Sequence, residues 1–210
     1  MKKEMSKKRF STIVIIIFSV LIPVVNSSCK KGTPATPPGS TIIYTDVNPD
    51  SVIIASNSYS LDMNKDGIYD FTFSISHTIG RCALCCSPHY NNTVRVSLGG
   101  INAIINTATT AGAALALDSN AVINSSAHWS DVSVKFIYDV QSCSCGTTYV
   151  AGFFPPSVFK YLAVRFVKGT DTYYGWVKLA ALDIYGMGAL SVSEYAYNSS
   201  PNQPILAGQK

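Results

Sequence analysis

Short segments rich in Val, Ile, Thr, Phe and Tyr recur along most of this sequence, and clusters of Asn, Asp, Gly, Ser and Pro separate them. β-Branched and aromatic residues favour strands, whereas the separating residues favour turns. Phe71, Phe73 and Ile75 alternate with polar residues, which predicts one buried and one solvent-facing side. We therefore expect an all-β fold, an antiparallel, jelly-roll-like β-sandwich. The predicted strands are 41–45, 51–55, 58–61, 69–76, 93–98, 101–106, 132–138, 161–167, 172–182 and 189–197.

One other segment, 107–117, has a composition that a helix would accept, although Gly112 and its threonines weaken that interpretation. Residues 30–40 are rich in Pro, Gly and Thr and show no apolar pattern, so they predict an extended tether. The remaining part, 41–210, is long enough for a single domain with its own core.

The first 28 residues have the pattern of an export signal. Lysines and one arginine are followed by an apolar run, 10–25, and then by Ser27-Ser28-Cys29. The run contains Pro23 and is shorter than the roughly 20 residues that a spanning helix needs, which disfavours the alternative of an uncleaved membrane helix. Ser27-Ser28-Cys29 resembles the lipobox of bacterial lipoproteins and departs from it at Asn26. The resemblance implies cleavage after residue 28, lipidation of Cys29, and a mature protein anchored in the bacterial outer membrane, on its periplasmic side or at the cell surface.

The net charge of +4 belongs to this signal, because residues 1–28 contain five Lys or Arg and one Glu. The rest of the chain has equal numbers of basic and acidic residues. A neutral domain lacks the electrostatic field that nucleic-acid binding requires, so we expect no nucleic-acid partner.

Segment 62–70 has the spacing of a calcium loop. Oxygen ligands at alternate positions, with Gly67 to allow a tight turn, are what Ca²⁺ requires. The alternative is an Asx-rich turn without a cation. The segment departs from an EF-hand, since Phe73 stands where the bidentate Glu would be, and we expect any cation here to be structural. The predicted ligands are Asp62, Asn64, Asp66, Ile68 through its carbonyl, and Asp70.

Five cysteines besides Cys29 fall into two groups. Disulfides are expected in an exported protein, and bonds within either group would be strained, so we predict a bridge between the groups. The alternative is a zinc site that uses both groups together with His77 or His89. The disulfide candidates are Cys82, Cys85, Cys86, Cys143 and Cys145.

No set of residues predicts catalysis. His128 lies near Ser130 and Asp131 but lacks the context of a nucleophile. Asp183 and Glu194 are candidates for a glycosidase pair, although we expect Glu194 simply to face water. Most aromatic residues near the end of the sequence are expected in the core, and an exposed subset would be able to stack on sugars. They are Tyr173, Tyr174, Trp176, Tyr185, Tyr195 and Tyr197.

Four segments carry a second resemblance: Asp62–Phe71, the stretch Tyr-Gly-Trp-Val-Lys-Leu from Tyr174, the stretch Tyr-Ala-Tyr-Asn from Tyr195, and the stretch Ile-Leu-Ala-Gly from Ile205. They are similar to exported β-domains of Bacteroidetes and of PEP-CTERM-sorted proteins. The resemblance implies an exported β-sandwich and no activity. We expect a lipid-anchored module with a structural calcium loop and a binding or structural role at the cell envelope, with a glycan or an envelope protein as partner. The alternative is a carbohydrate-active or carbohydrate-binding envelope protein.

Overall fold

A computed structural model of the protein describes residues 41–81, 88–106, 113–132, 134–143, 148–184 and 187–210, without the side chains of 81–91, 133–151 and 183–187. The described residues form fourteen strands and no helix, and none of them forms a helix suited to crossing a membrane. The strands are β1 (Ile42–Ile53), β2 (Ser58–Leu61), β3 (Phe71–Arg81), β4 (Pro88–Leu98), β5 (Ala103–Ile105), β6 (Ala116–Leu117), β7 (Val122–Ile123), β8 (Trp129–Ser130), β9 (Val134–Cys143), β10 (Thr148–Gly152), β11 (Lys160–Lys168), β12 (Asp171–Ile184), β13 (Met187–Asn198) and β14 (Ile205–Leu206).

The strands form two main sheets. The large sheet has the order β1-β13-β12-β11-β5-β8, with β6 paired to β11 as well, and the five-stranded sheet has the order β10-β9-β4-β3-β2. A separate two-stranded sheet joins β7 and β14. Every strand pairing in these sheets is antiparallel. The chain passes between the two main sheets after β1, β4, β8 and β10.

The core lies between the inner faces of the two main sheets. Phe71 and Phe73 from β3 are fully buried in one apolar cluster with Phe166 from β11 and Leu179 from β12. The predicted alternation in β3 is therefore correct for its apolar positions. Because sheets with one apolar face each are stable only when those faces are buried together, this cluster accounts for the layer structure. The predicted all-β, antiparallel β-sandwich is confirmed.

The outer face of the large sheet is also covered. Trp176 on β12 is fully buried there, together with Ile123 of β7, Ile205 of β14 and Ala207. Trp176 also contacts two tyrosine rings, Tyr44 at 6.4 Å and Tyr161 at 5.2 Å between centroids. Strand β12 consequently has buried residues on both faces, which is why its sequence, from Tyr174 to Ala181, is apolar with little alternation.

Several predicted boundaries differ from the observed strands. The two predicted strands 41–45 and 51–55 are one strand, β1, whose pairing with β13 is irregular between Asp46 and Ser51. In the described part of segment 107–117, Ala114 forms a β-bridge and Ala116–Leu117 is strand β6, so the helical interpretation is wrong there. Residues 1–40 lie outside the described residues, which includes the predicted signal, Cys29 and the tether.

Candidate metal centre and surrounding polar clusters

The predicted calcium loop, residues 62–70, connects β2 to β3 and is held by side chains that accept hydrogen bonds from its own backbone. The two carboxylate oxygens of Asp62 accept from the amides of Asp66 (3.2 Å) and Gly67 (2.7 Å). The amide of Asp66 also donates to Asn64 Oδ1 at 3.0 Å, and the amide of Ile68 donates to Asp66 Oδ1 at 3.0 Å. Three of the predicted ligand side chains, those of Asp62, Asn64 and Asp66, therefore accept hydrogen bonds from the backbone of one turn.

The backbone of this turn uses the left-handed region at two positions. Lys65 has φ of +60° and Gly67 has φ of +89°. A Cβ at Gly67 would meet no atom within 4 Å, so glycine is needed there for its backbone conformation rather than for space. The role predicted for Gly67 is confirmed.

Asp70, the last predicted ligand, is buried at 6% exposure, whereas the alternation of β3 predicted a solvent-facing side chain. Its Oδ2 accepts from the Met63 amide at 2.8 Å and its Oδ1 from Asn102 Nδ2 at 3.0 Å. Burial raises the pKa of this carboxyl group; these two hydrogen bonds act against that rise, while the charges of Asp62 and Asp66 add to it. Asp70 thus ties the loop to a second segment, the turn 99–102 between β4 and β5.

The turn 99–102 was not identified from the sequence. Asn102 is buried, donates to Asp70 and accepts from the Val167 amide at 3.0 Å, which links the loop to β11. Gly99 donates its amide to Asp70 O at 2.8 Å, and a Cβ at Gly99 would lie 2.4 Å from Tyr69 O. The pair Gly99-Gly100 was the available signal, because adjacent glycines indicate a turn or a close backbone approach.

The chemistry of the loop's donor set suits calcium: three carboxylates, one amide oxygen and one backbone carbonyl are all hard oxygen ligands. The charges of Asp62 and Asp66 add to the raised pKa of Asp70, as expected for like charges in one loop. Within the described ranges, no three His, Cys, Asp or Glu side chains are grouped as metal ligands.

Most of the predicted cysteine cluster lies outside the described residues, namely Cys82, Cys85, Cys86 and Cys145. The backbone of Cys143 is described and ends β9, where it pairs with His89 of β4. Strand β3 ends at Arg81 and β4 begins at Pro88, its partner in the register. Both cysteine segments are therefore connected to the same end of the five-stranded sheet.

A polar cluster that the sequence did not predict surrounds Glu194. This residue is 6% exposed rather than facing water, and its carboxylate contacts Lys178 Nζ (2.5 Å), Lys210 Nζ (2.6 Å) and the Tyr44 hydroxyl (2.8 Å). Burial by itself would raise the pKa of Glu194, but hydrogen bonds from the two ammonium groups and the hydroxyl outweigh it and lower the pKa to about 2. The same contacts raise the pKa of Lys210. The cluster joins β1, β12 and β13 to Lys210, beyond β14.

The residues considered for catalysis are not brought together. Glu194 lies opposite Lys178, and Asp183 is five residues further along β12. At about 3.3 Å per residue, the backbone positions of the two acids are roughly 17 Å apart, whereas the carboxyl groups of glycosidase pairs lie roughly 5–9.5 Å apart. The His128 ring instead bonds to Asn106 Oδ1 at 2.6 Å.

The aromatic residues considered for sugar stacking are mostly buried. Trp176, Tyr174 and Tyr195 are at most 5% exposed, and Tyr173 and Tyr197 pack against the core cluster. Tyr185 lies outside the described residues. Three of the five described aromatic residues are therefore core residues, and the other two, Tyr173 and Tyr197, are partly buried.

Comparisons with protein-family models, with curated proteins and with solved structures find no match for this chain.

Proposed function

We propose that this protein is a lipid-anchored, exported β-sandwich module with a structural calcium loop, and that it has a binding or structural role at the bacterial cell envelope. The observation that carries the proposal is where the domain begins. Strand β1 starts at Ile42, directly after the Pro/Gly/Thr-rich residues 30–40 that follow Cys29. A basic and apolar leader, a lipobox-like cysteine, a polar tether and then a folded domain is the order that a lipoprotein requires.

A binding or structural role agrees with how the sandwich is filled. Large side chains such as Phe71, Phe166 and Leu179 have no exposed surface between the sheets, and Trp176 has none on the outer face. Enzymes and small-molecule binders usually place their sites in deep, partly apolar clefts. A module that acts through its surface needs no such cleft.

Calcium binding by residues 62–70 is the second part of the proposal. Each oxygen of a carboxylate has two lone pairs, and the two oxygens of Asp62 each use one for a loop amide. Capacity therefore remains for a cation at Asp62, Asn64 and Asp66, with Ile68 O and Asp70 as the further predicted ligands. When bound, calcium would supply the positive charge that offsets three neighbouring carboxylates.

The lipid anchor is tested by labelling cells with radioactive palmitate and comparing the wild-type protein with Cys29→Ser. We expect the label in the wild type and its loss in Cys29→Ser, with the variant released from the membrane fraction or retained as uncleaved precursor. Cys143→Ser is the matched control and should still be labelled, because Cys143 lies inside the folded domain. Equal labelling of the wild type and Cys29→Ser would contradict the proposal.

A further inference from the structure

One end of the sandwich contains the start of the domain together with three connecting segments. Ile42, the first residue of β1, pairs with Asn198 at the end of β13, and Tyr197 pairs with Gly175 near the start of β12. The hairpin between β11 and β12 turns at Gly169, next to the Lys168–Asp171 pair. The calcium loop 62–70 and the turn 99–102 are bonded to this end through Asn102 and Val167. We call it the anchor end.

The anchor end exposes apolar side chains to an unusual degree. Three of the four most exposed large apolar side chains in the described part of the chain lie here: Ile68 (71%), Ile101 (68%) and Tyr69 (62%). These three line one open cleft of about 230 Å³ with Asp66, Asp70, Val167 and glycine backbone. Such exposure at neighbouring loop tips indicates contact with an apolar environment, because soluble surfaces seldom cluster large apolar groups.

Two exposed lysines accompany these tips, Lys65 in the calcium loop and Lys168 at the hairpin. Lysine ammonium groups can reach lipid phosphates while their methylene chains lie along apolar surface. Exposed carboxylates, those of Asp66 and Asp171, lie beside these lysines, so the lysines alone do not make this end positively charged. The exposed apolar tips suit the interface of a phospholipid bilayer, where headgroups and acyl chains meet.

The length of the tether indicates that the membrane is the surface near the anchor end. If Cys29 is lipidated, about a dozen residues separate the bilayer from Ile42. A flexible chain of that length has a mean span of about 20 Å and a maximum of about 40 Å. Strand β1 leaves Ile42 and runs about 40 Å toward the opposite end. A tether of this length therefore limits the distance of the anchor end from the membrane to about 40 Å and allows the opposite end to lie farther away.

We propose that Ile68, Tyr69 and Ile101 insert into the phospholipid surface to which the protein is anchored, so that the sandwich stands on its anchor end. This inference rests on the proposed lipid anchor. Three side chains give weak binding by themselves, but a tether raises their effective concentration at the bilayer enough to orient the domain. The opposite end, with the connections β1–β2 and β10–β11, then faces away from the membrane.

Site-specific photo-cross-linking in the full-length, lipid-anchored protein tests the inference. A benzophenone amino acid replaces Tyr69 in one protein and Ile79 in another, and both are reconstituted into phosphatidylethanolamine–phosphatidylglycerol vesicles that contain an alkyne-labelled lipid. Ile79 is the matched control, because it is 66% exposed but lies on β3 about 27 Å beyond Phe71. We expect several-fold more lipid adduct at position 69 than at position 79.

A second comparison uses the Tyr69 probe alone. The double substitution Ile68→Ser and Ile101→Ser should lower its lipid adduct several-fold, whereas Ile79→Ser should not. Each of these side chains is at least 66% exposed, so the variants should fold. Equal adduct at positions 69 and 79, or protein adducts at position 69 in place of lipid, would overturn the inference. Palmitate labelling of the same samples shows whether the lipid anchor is present. A labelled protein without lipid adduct at position 69 would contradict this inference alone, whereas an unlabelled protein would contradict the proposed function.

Discussion

At the scale of single residues, the polar groups that matter most are the buried ones, and their partners are distant in sequence. The carboxylate of Glu194 accepts a hydrogen bond from the hydroxyl of Tyr44, which is 150 positions away in sequence. Asp70 is bonded to Asn102, 32 positions away. Sequence spacing cannot reveal such partners, since it reports only neighbours along one strand or turn. For this reason the sequence predicts that Glu194 faces water, and it does not indicate that Asn102 bonds to Asp70 and Val167.

Glu194→Gln should destabilise the domain at neutral pH and make it less sensitive to acid. The folded-state pKa is lowered to about 2, below the unfolded value of about 4.3. The carboxylate's stabilisation is therefore complete above pH ~4.3 and is lost as the pH falls toward 2. We expect a loss on the order of 2 kcal/mol at pH 7 and a smaller difference near pH 2, measured by urea unfolding.

Asp118→Asn is the control for that experiment. Asp118 pairs with Lys160 but has an 83% exposed side chain, so its removal should change the free energy of unfolding by less than about 1 kcal/mol. If both variants lose equal stability, or if Glu194→Gln keeps the full acid dependence of the wild type, the role assigned to the buried cluster is wrong.

Asn102→Ala should cost about 2–3 kcal/mol of stability, because it leaves the Val167 amide and one oxygen of Asp70 without their partner in a buried place. Asn124→Ala is the matched comparison: Asn124 accepts from Ser126, but those bonds are exposed and should contribute little. Equal losses in the two variants would show that Asn102 does not hold the loop, the turn 99–102 and β11 together.

At the scale of elements, residue type predicted the existence of the longer strands better than their ends. The predicted strand 58–61 matches β2, and 161–167 differs from β11 by one residue at each end. Strand β4 starts at Pro88 rather than near 93, because Pro88, Asn91 and Asn92 have weak strand preference. Strand β10 is not among the predicted strands, although its Thr148-Tyr149-Val150 favours a strand. Strands β7 and β14 have two residues each and depend on their mutual pairing.

Residues 62–70 are the predicted calcium loop, and the proposed binding of a cation there can be measured. Calcium at ~100 times its Kd should stabilise the protein by about 2.7 kcal/mol, a shift of a few degrees in Tm. Magnesium should do much less, since it resists dehydration and prefers fewer ligands. Asp66→Ala should remove most of the calcium response in melting curves recorded with excess calcium and with chelator.

Asp131→Ala serves as the control for Asp66→Ala, because Asp131 is exposed and lies outside the loop. It should keep the calcium response of the wild type. In chelator, the Tm of Asp66→Ala should differ little from that of the wild type, since the variant loses one of three neighbouring carboxylates and also the acceptor of the Ile68 amide. Identical wild-type curves in calcium and in chelator would leave residues 62–70 as a turn held by its own hydrogen bonds.

At the scale of the whole molecule, the order of strands in the sheets could not be predicted. Strand β1 pairs with β13, and β4 pairs with β9 across the chain that forms β5 to β8. Alternation identifies a buried face but not the neighbour that covers it, and here the large sheet is covered on both faces. The sandwich was predictable from residue types, whereas its pairing depends on contacts between distant segments.

That pairing bears on the cysteines. Arg81 of β3 pairs with Pro88 of β4, and the next residue of β4, His89, pairs with Cys143 of β9, so Arg81 and Cys143 lie on either side of β4 at one end of the sheet. Two strand spacings separate them by about 10 Å, which is more than the 4.4–6.8 Å between Cα atoms that a disulfide spans, so a bridge has to form beyond the ends of these strands. A bridge between the two cysteine groups would close a ring of about 60 residues and stabilise the protein by roughly 4 kcal/mol in the loop-entropy model.

Non-reducing peptide mapping of the exported protein should therefore find a peptide with Cys82, Cys85 or Cys86 linked to one with Cys143 or Cys145. We expect this result rather than bonds within a group, because cysteines so close in sequence can be joined only with strain. With five cysteines besides Cys29, one thiol should remain free or link two chains, and thiol titration before and after reduction measures it. Five free thiols together with stoichiometric zinc would reject the disulfide and establish the alternative, a metal site that holds the same two segments together.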